Sequence, residues 1–98
     1  MVQIVPNYAS VVATVLAVEA SGADPAMDIV TLQVGELKDH QQYPNLVRLL
    51  PDSRLQVTIK RGIREALGLK KDTKISALVR AAGGTRYYFN DDSIKAIS

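Results

Sequence analysis

Seven basic side chains are concentrated in one part of the chain, residues 54–74. They are Arg54, Lys60, Arg61, Arg64, Lys70, Lys71 and Lys74. Guanidinium and ammonium groups bind phosphate oxygens by charge-assisted hydrogen bonds, so this concentration is typical of a surface that attracts polyanions. Aromatic rings beside such cations allow the bases of a single strand to stack. Tyr43, and Tyr87 or Tyr88, are the candidates for this role, and we expect Tyr43 and Tyr88 to serve in this way. The alternatives are core packing for Tyr87 and a surface cross-strand pair for Tyr88.

The charged residues are divided unevenly between the two halves of the chain. Residues 1–47 carry a net charge of −4 and residues 48–98 a net charge of +6, which leaves +2 overall. The basic half favours nucleic-acid binding that depends on electrostatic attraction and therefore on salt. Two other interpretations stay open. In the first, the cations form a solvated surface that binds no partner. In the second, the acidic half of one subunit contacts the basic half of the next.

The sequence offers little for catalysis or for metal binding. The only histidine, His40, has Asp39 and Tyr43 nearby, which resembles a general-base arrangement, but no nucleophile or second histidine accompanies it. Asp24 and Asp28 are four residues apart, but a proline between them rules out a helical pair of metal ligands. The chain also has no cysteine. We therefore expect a protein that is not an enzyme and has no cofactor.

The basic residues lie on elements with a clear sequence pattern. Residues 55–60 alternate between apolar and polar side chains, as in a strand with one buried face. From Ile63 the apolar side chains fall at i, i+3 and i+4, which predicts a short helix with Arg64 and Glu65 pointing away from its apolar face.

The residues after this helix predict a helix end, a turn and a hairpin. Gly68 can take the left-handed conformation that ends a helix, and Leu69 can then fold back onto the apolar face. Residues 70–72 form an exposed turn, and the alternating residues 75–79 form the next strand with its apolar side chains inward. The glycine pair 83–84 predicts a tight turn before a last aromatic strand.

The first half of the chain also reads as strands. Residues 11–19 are apolar on both alternating faces except at Thr14 and Glu19, which predicts a strand that is covered on both sides or lies in an oligomer contact. Residues 28–36 alternate clearly and form the second strand. The connection 37–53 is too long to lack structure, and we expect Asn45 to cap one helical turn that Pro51 ends.

The predicted order is three strands, a short helix and two more strands in a single domain, residues 1–98. An all-β fold of this order, with the helix between strands three and four, matches a five-stranded OB-fold-like barrel. Residues 93–97 form a last strand segment or a frayed end. The longest apolar run, residues 11–18, is too short to cross a bilayer, and no basic residue precedes it. We therefore expect a cytoplasmic protein with no membrane contact.

Residues 54–82, above all the run LGLKKDTKISALVRAA, resemble the C-terminal part of the TOBE domain. That family is an OB-type barrel that binds molybdate or tungstate at subunit contacts, through backbone amides and small polar side chains. The resemblance therefore implies oxyanion binding. Ser10 is the residue that the resemblance would place in such a site.

Residues 57–75, VTIKRGIREALGLKKDTKI, are also similar to the core of AbrB-type DNA-binding proteins, which are swapped-hairpin dimers. Lys60 stands where that family has proline, and Asp72 and Thr73 stand where it has Gly-Asp. The AbrB-type unit would leave residues 1–45 without a role, although they carry two strands. We therefore favour the barrel and keep the swapped hairpin as the alternative.

Three functions from different classes follow from these patterns. Binding of single-stranded nucleic acid is the first, because OB-folds use the face of strands two and three for it and the basic half fits. The outward positions on that face are polar and not aromatic: Thr31, Gln33, Gln56 and Thr58. The alternatives are a protein-interaction subunit that forms a homo-oligomer or binds a partner protein, and a TOBE-like oxyanion binder.

Overall fold

The computed structural model describes residues 7–40, 47–82 and 86–97 of the chain. Its elements follow in the order β1 (Ala9–Ala20), β2 (Met27–Asp39), β3 (Arg54–Lys60), α1 (Arg61–Leu67), β4 (Lys74–Ala81), β5 (Tyr87–Phe89) and β6 (Lys95–Ala96). Single 3₁₀ turns, Pro51–Ser53 and Asp91–Ser93, precede β3 and β6. The predicted all-β fold with one short helix is confirmed, and β6 shows that the C-terminal residues add a strand segment.

The first five strands close into one barrel. Neighbouring strands lie in the order β1, β2, β3, β5, β4, and β4 pairs with β1 to complete the circle. All these pairings are antiparallel except that of β3 with β5, which is parallel and places Thr58 beside Tyr88. The chain therefore adopts the predicted OB-fold-like barrel rather than the swapped-hairpin alternative.

The barrel interior is filled by alternate side chains of its strands. Those at most 1% exposed include Val11, Val15, Val30, Leu32, Leu55, Val57, Ile59, Ile75 and Val79. Each such side chain contributes about 1.5–3 kcal/mol relative to an exposed position. The inward positions predicted for residues 55–60 and 75–79 are confirmed.

Strand β1 pairs with two neighbouring strands, and its ladder with β2 contains bulges. Leu16 on β1 and Gly35 on β2 each lack a partner in the ladder between these strands. An extra residue of this kind bends its strand and increases the local twist. Residues 9–14 pair with β4 on the other edge of the strand. The outward side chains Val12 and Leu16 are half-buried, so the second apolar face of this strand is only partly covered by the described residues.

The helix end has the predicted geometry. Gly68 has a φ of +64°, and its N–H donates to the Glu65 carbonyl at 3.1 Å. The Leu69 N–H donates to the Arg64 carbonyl at 3.1 Å, and the Leu69 side chain is buried in the core. These bonds satisfy carbonyls that the helix itself leaves without a donor. No helix among the described residues is long and apolar enough to cross a membrane.

The predicted apolar face of α1 is wrong in two respects. Ile63 packs against the core, but Leu67 is 38% exposed, and Arg64 points inward instead of away from the barrel. Arg64 turns inward because it forms an ion pair with the buried carboxylate of Asp28 on β2. A charge partner far away in the sequence therefore overrides the local helical pattern.

The helical turn predicted before Pro51 is also wrong for residues 47–50. These residues are not helical. Leu50 is extended, with a φ of −71° and a ψ of 169°, because a residue that precedes proline is disfavoured in the helical region. The Leu50 N–H donates to the Arg54 carbonyl at 2.8 Å, and Pro51 begins a 3₁₀ turn instead of ending a helical one. The predicted cap Asn45 and the glycines 83–84 lie outside the described residues.

Candidate functional site

The outward side chains of β3 form a row with a cation at each end. The row is Arg54, Gln56, Thr58 and Lys60, and its partners on β2 are Gln33, Thr31, Ile29 and Met27 in that order. The row points outward because the intervening residues of β3 are buried in the barrel. The outer face of β2 and β3 is therefore mainly polar at its centre and positively charged at both ends of β3.

An aromatic ring stands beside this face. Tyr87 and Phe89 are buried, so the alternation along β5 turns Tyr88 outward, next to Thr58. The guanidinium of Arg80 on β4 lies 5.3 Å from the centroid of the Tyr88 ring. This is within the range of a cation–π contact, which holds the ring in place. The aromatic side chain that β2 and β3 lack is thus supplied by β5.

A cleft of about 460 Å³ lies on this face, between the β1–β2 loop and β5. It is lined by Ser21, Ala23, Asp24, Met27, Ile29, Gln56, Thr58, Arg86, Tyr87 and Tyr88. Its volume falls within the range of small-ligand sites, which is about 300–1,000 Å³. Strands β1 and β4 contribute none of these lining residues. The cleft therefore occupies the face that OB-type barrels use for ligands.

Two opposite charges face this cleft. Arg86 lies on the β5 side of the cleft, directly before Tyr87 and Tyr88 in the sequence. Asp24 lies on the β1–β2 loop, where its Oδ1 accepts a hydrogen bond from the Ala26 N–H at 2.9 Å and its carbonyl accepts one from the Met27 N–H at 3.1 Å. These two bonds form a tight turn that fixes the position of the carboxylate.

Three charged side chains meet at the base of α1. Asp28 is only 2% exposed, and its Oδ1 accepts hydrogen bonds from Nε and an Nη of Arg61, both at 3.0 Å. Its Oδ2 accepts a hydrogen bond from Nε of Arg64. The bonds from Arg61 and Arg64 lower the pKa of Asp28 below its ordinary value of 3.8, although burial acts in the opposite direction. This cluster fastens the helix to β2.

The structure separates the predicted basic residues into three places. Arg54 and Lys60 lie on the β2–β3 face, together with the predicted Tyr88. Arg61 and Arg64 form the ion pairs with Asp28. Lys70, Lys71 and Lys74 are exposed in and after the turn that hydrogen-bonds to Val15 of β1, and none of them lines the cleft. The seven cations therefore do not form one continuous site.

The other predicted residues that the structure describes lie away from the cleft. Ser10 is on the outer side of β1, opposite Lys38 of β2 and Leu78 of β4. The ring of His40 meets that of Tyr8 edge-on, with centroids 6.4 Å apart, and neither residue lines the cleft. Tyr43 lies outside the described residues. Within the described ranges, no three His, Cys, Asp or Glu side chains gather where they could hold a metal ion.

Sequence reasoning missed Arg86 and Asp24 as cleft residues. Arg86 could have been predicted, because it directly precedes Tyr87 and Tyr88 and an OB-type barrel brings β5 beside β3. Asp24 was harder to predict, since its sequence neighbourhood indicates only a turn. Both residues reach the cleft through the closure of the barrel, which brings the β1–β2 loop and β5 to the same face.

No protein-family model, curated protein or solved structure matches this chain. The resemblances of residues 54–82 to the TOBE domain and of residues 57–75 to AbrB-type proteins thus have no support from a relative. The cleft is the feature of the molecule from which a function can be inferred.

Proposed function

We propose that this protein binds single-stranded nucleic acid across the outer face of β2 and β3, with one nucleotide seated in the cleft. The observation that carries the proposal is the position of Tyr88, outward beside Thr58 on the wall of a cleft of about 460 Å³. An aromatic ring next to a polar strand face is the arrangement on which OB-type barrels stack bases.

Stacking on Tyr88 supplies the first part of the binding energy. Stacking of one base on an aromatic side chain is worth about 1–3 kcal/mol and tolerates every base. Arg80 lies 5.3 Å from the ring centroid and holds the ring at the cleft, so little side-chain entropy is lost when a base binds.

Phosphate contacts supply the second part. Arg54 and Lys60 are six residues apart on β3, a span of about 20 Å. Arg86 lines the cleft on its β5 side. A bound strand of several nucleotides can therefore contact all three cations. Three phosphate contacts give a slope of about −2 for log affinity against log salt with a single strand, so the Kd rises about 20-fold between about 50 and 200 mM salt.

The test is a fluorescence anisotropy titration with a labelled oligothymidylate of about 12 nucleotides, which is within the site size of an OB-fold. We expect Tyr88→Ala to weaken binding by about 1–3 kcal/mol, or roughly 5- to 150-fold in Kd, while Tyr88→Phe retains the stacking and the affinity. Arg86→Ala should lower the salt slope by about 0.7, since it removes one phosphate contact.

Lys71→Ala is the matched control for loss of a cation, because Lys71 is exposed and does not line the cleft. It should change neither the affinity nor the salt slope. Arg61 and Arg64 are not substituted in this test. Their loss would break the ion pairs with Asp28, so a loss of stability could be mistaken for a loss of binding. Absence of binding by the native protein at low salt, or equal losses from Lys71→Ala and Arg86→Ala, would reject the proposal.

A further inference from the structure

Among the described residues, Asp24 is the one acidic residue that lines the cleft, and its charge opposes a phosphate backbone. A carboxylate at a nucleic-acid site weakens binding unless it accepts hydrogen bonds from the ligand. Nucleic-acid bases supply such donors on their Watson–Crick edges. The presence of Asp24 therefore bears on which base the cleft accepts, and this inference rests on the function proposed above.

The structure leaves acceptor positions on both oxygens of this carboxylate available. Oδ1 accepts the Ala26 N–H at 2.9 Å, which fixes the orientation of the group. Oδ2 has no hydrogen-bond partner among the described residues, although each carboxylate oxygen can accept two hydrogen bonds. Asp24 lines the same cleft as Gln56, Thr58 and Tyr88. A base stacked on Tyr88 thus meets a fixed acceptor at the loop side.

We propose that Asp24 makes the cleft selective for guanine. Guanine is the one common base with two adjacent donors on its Watson–Crick edge, N1–H and the N2 amino group, and a carboxylate accepts both. Cytosine and adenine present one amino group next to an acceptor nitrogen, and thymine presents one N–H between two carbonyls. The amide of Gln56 and the hydroxyl of Thr58 line the same cleft and supply donors for the guanine carbonyl O6.

The test compares an oligothymidylate of about 12 nucleotides with the same strand carrying one central guanosine, and with one carrying a central inosine, which lacks the N2 amino group. A good bidentate contact to a base discriminates by roughly 5- to 150-fold. The native protein should bind the guanosine strand at least about fivefold more tightly than the oligothymidylate, with the inosine strand between them.

Asp24→Asn is the decisive variant, because the asparagine oxygen can still accept the Ala26 N–H and keep the turn. It should lose the preference for guanosine and bind the oligothymidylate as tightly as the native protein or more tightly, since a repulsive charge is gone. Asp72→Asn is the matched control for the lost charge, because Asp72 is exposed and outside the cleft. It should keep the guanosine preference.

The outcomes separate this inference from the proposed function. Equal affinity for the three strands, or a guanosine preference that survives Asp24→Asn, overturns the role of Asp24 and leaves single-strand binding intact. Failure to bind any of the three strands at low salt overturns both. A thermal melt of each variant confirms that the native fold is retained, so a loss of preference is assigned to the cleft.

Discussion

Replacing Asp28 with asparagine tests the ion pairs that fasten α1 to the barrel. Asparagine has nearly the same shape as aspartate, so Asp28→Asn leaves no cavity. It removes the charge and replaces one acceptor oxygen with an NH2 donor. In the native protein the carboxylate accepts hydrogen bonds from both Arg61 and Arg64. The substitution removes the negative charge that compensates these two guanidinium groups.

The size of the effect follows from the exposure of the two arginines. Loss of one partner from a fully buried ion pair costs about 3–5 kcal/mol, because the remaining charge is left uncompensated. The side chains of Arg61 and Arg64 are 38% and 23% exposed, so both regain part of their hydration when Asp28 is neutral. We therefore expect a loss of about 2 kcal/mol in the free energy of unfolding, or about 10 °C in Tm for a domain of this size.

Urea denaturation followed by circular dichroism measures this loss, with Asp72→Asn as the control. Asp72 lies in an exposed turn with a φ of 74°, a conformation that asparagine tolerates, so the control should stay within about 0.5 kcal/mol of the native protein. If Asp28→Asn is as stable as the control, the ion pairs do not fasten the helix and the reasoning fails.

The same cluster predicts how stability depends on pH. The pKa of Asp28 is lowered in the folded protein, so its contribution is complete above its ordinary value of 3.8 and declines as the pH falls toward the folded-state pKa. The unfolded chain takes up the proton first, which favours unfolding in acid. The stability difference between the native protein and Asp28→Asn should therefore shrink when the pH is lowered from about 7 to about 3.

Two further substitutions test the end of α1 and the contact of Asn7 with β4. Gly68→Ala places a Cβ at a residue with a φ of +64°, so it should lower the free energy of unfolding, measured by urea denaturation, by about 1 kcal/mol. An unchanged free energy of unfolding would show that the left-handed helix end is absent. Asn7 is buried and its side-chain amide exchanges two hydrogen bonds with the backbone of Ala81, at 3.0 and 2.8 Å. Asn7→Ala should therefore lower the free energy of unfolding by about 1–3 kcal/mol. A thermal melt that matches the native protein would show that this contact between Asn7, which precedes β1, and the end of β4 is not formed.

Local patterns were sufficient where burial follows the sequence period. The strands around residues 55–60 and 75–79 and the glycine that ends α1 depend on neighbouring residues alone, and the sequence predicts them correctly. The inward turn of Arg64 depends on Asp28, which is 36 residues away in the sequence, so the helical pattern cannot show it. Burial of a charge is decided by its partner, and the partner is known only from the fold.

The cleft shows a similar limit. Alternation along β5 predicts that Tyr88 points outward, but the sequence does not show that this position lies beside Thr58. That contact comes from the parallel pairing of β3 with β5, which only the closure of the barrel produces. Asp24 and Arg86 come to one cleft for the same reason, although they lie at opposite ends of the sequence.

The most direct test of the proposed function is to map the binding surface by NMR in solution. Titration of the isotope-labelled protein with a short oligothymidylate at low salt should shift the backbone amide signals of Ile29, Thr58 and Tyr88, which line the cleft. The amides of β1 and β4 that face the other side of the barrel, such as those of Val12 and Leu78, should shift little. Shifts confined to β1, β4 or the turn 70–73, with none at the cleft, would contradict the account.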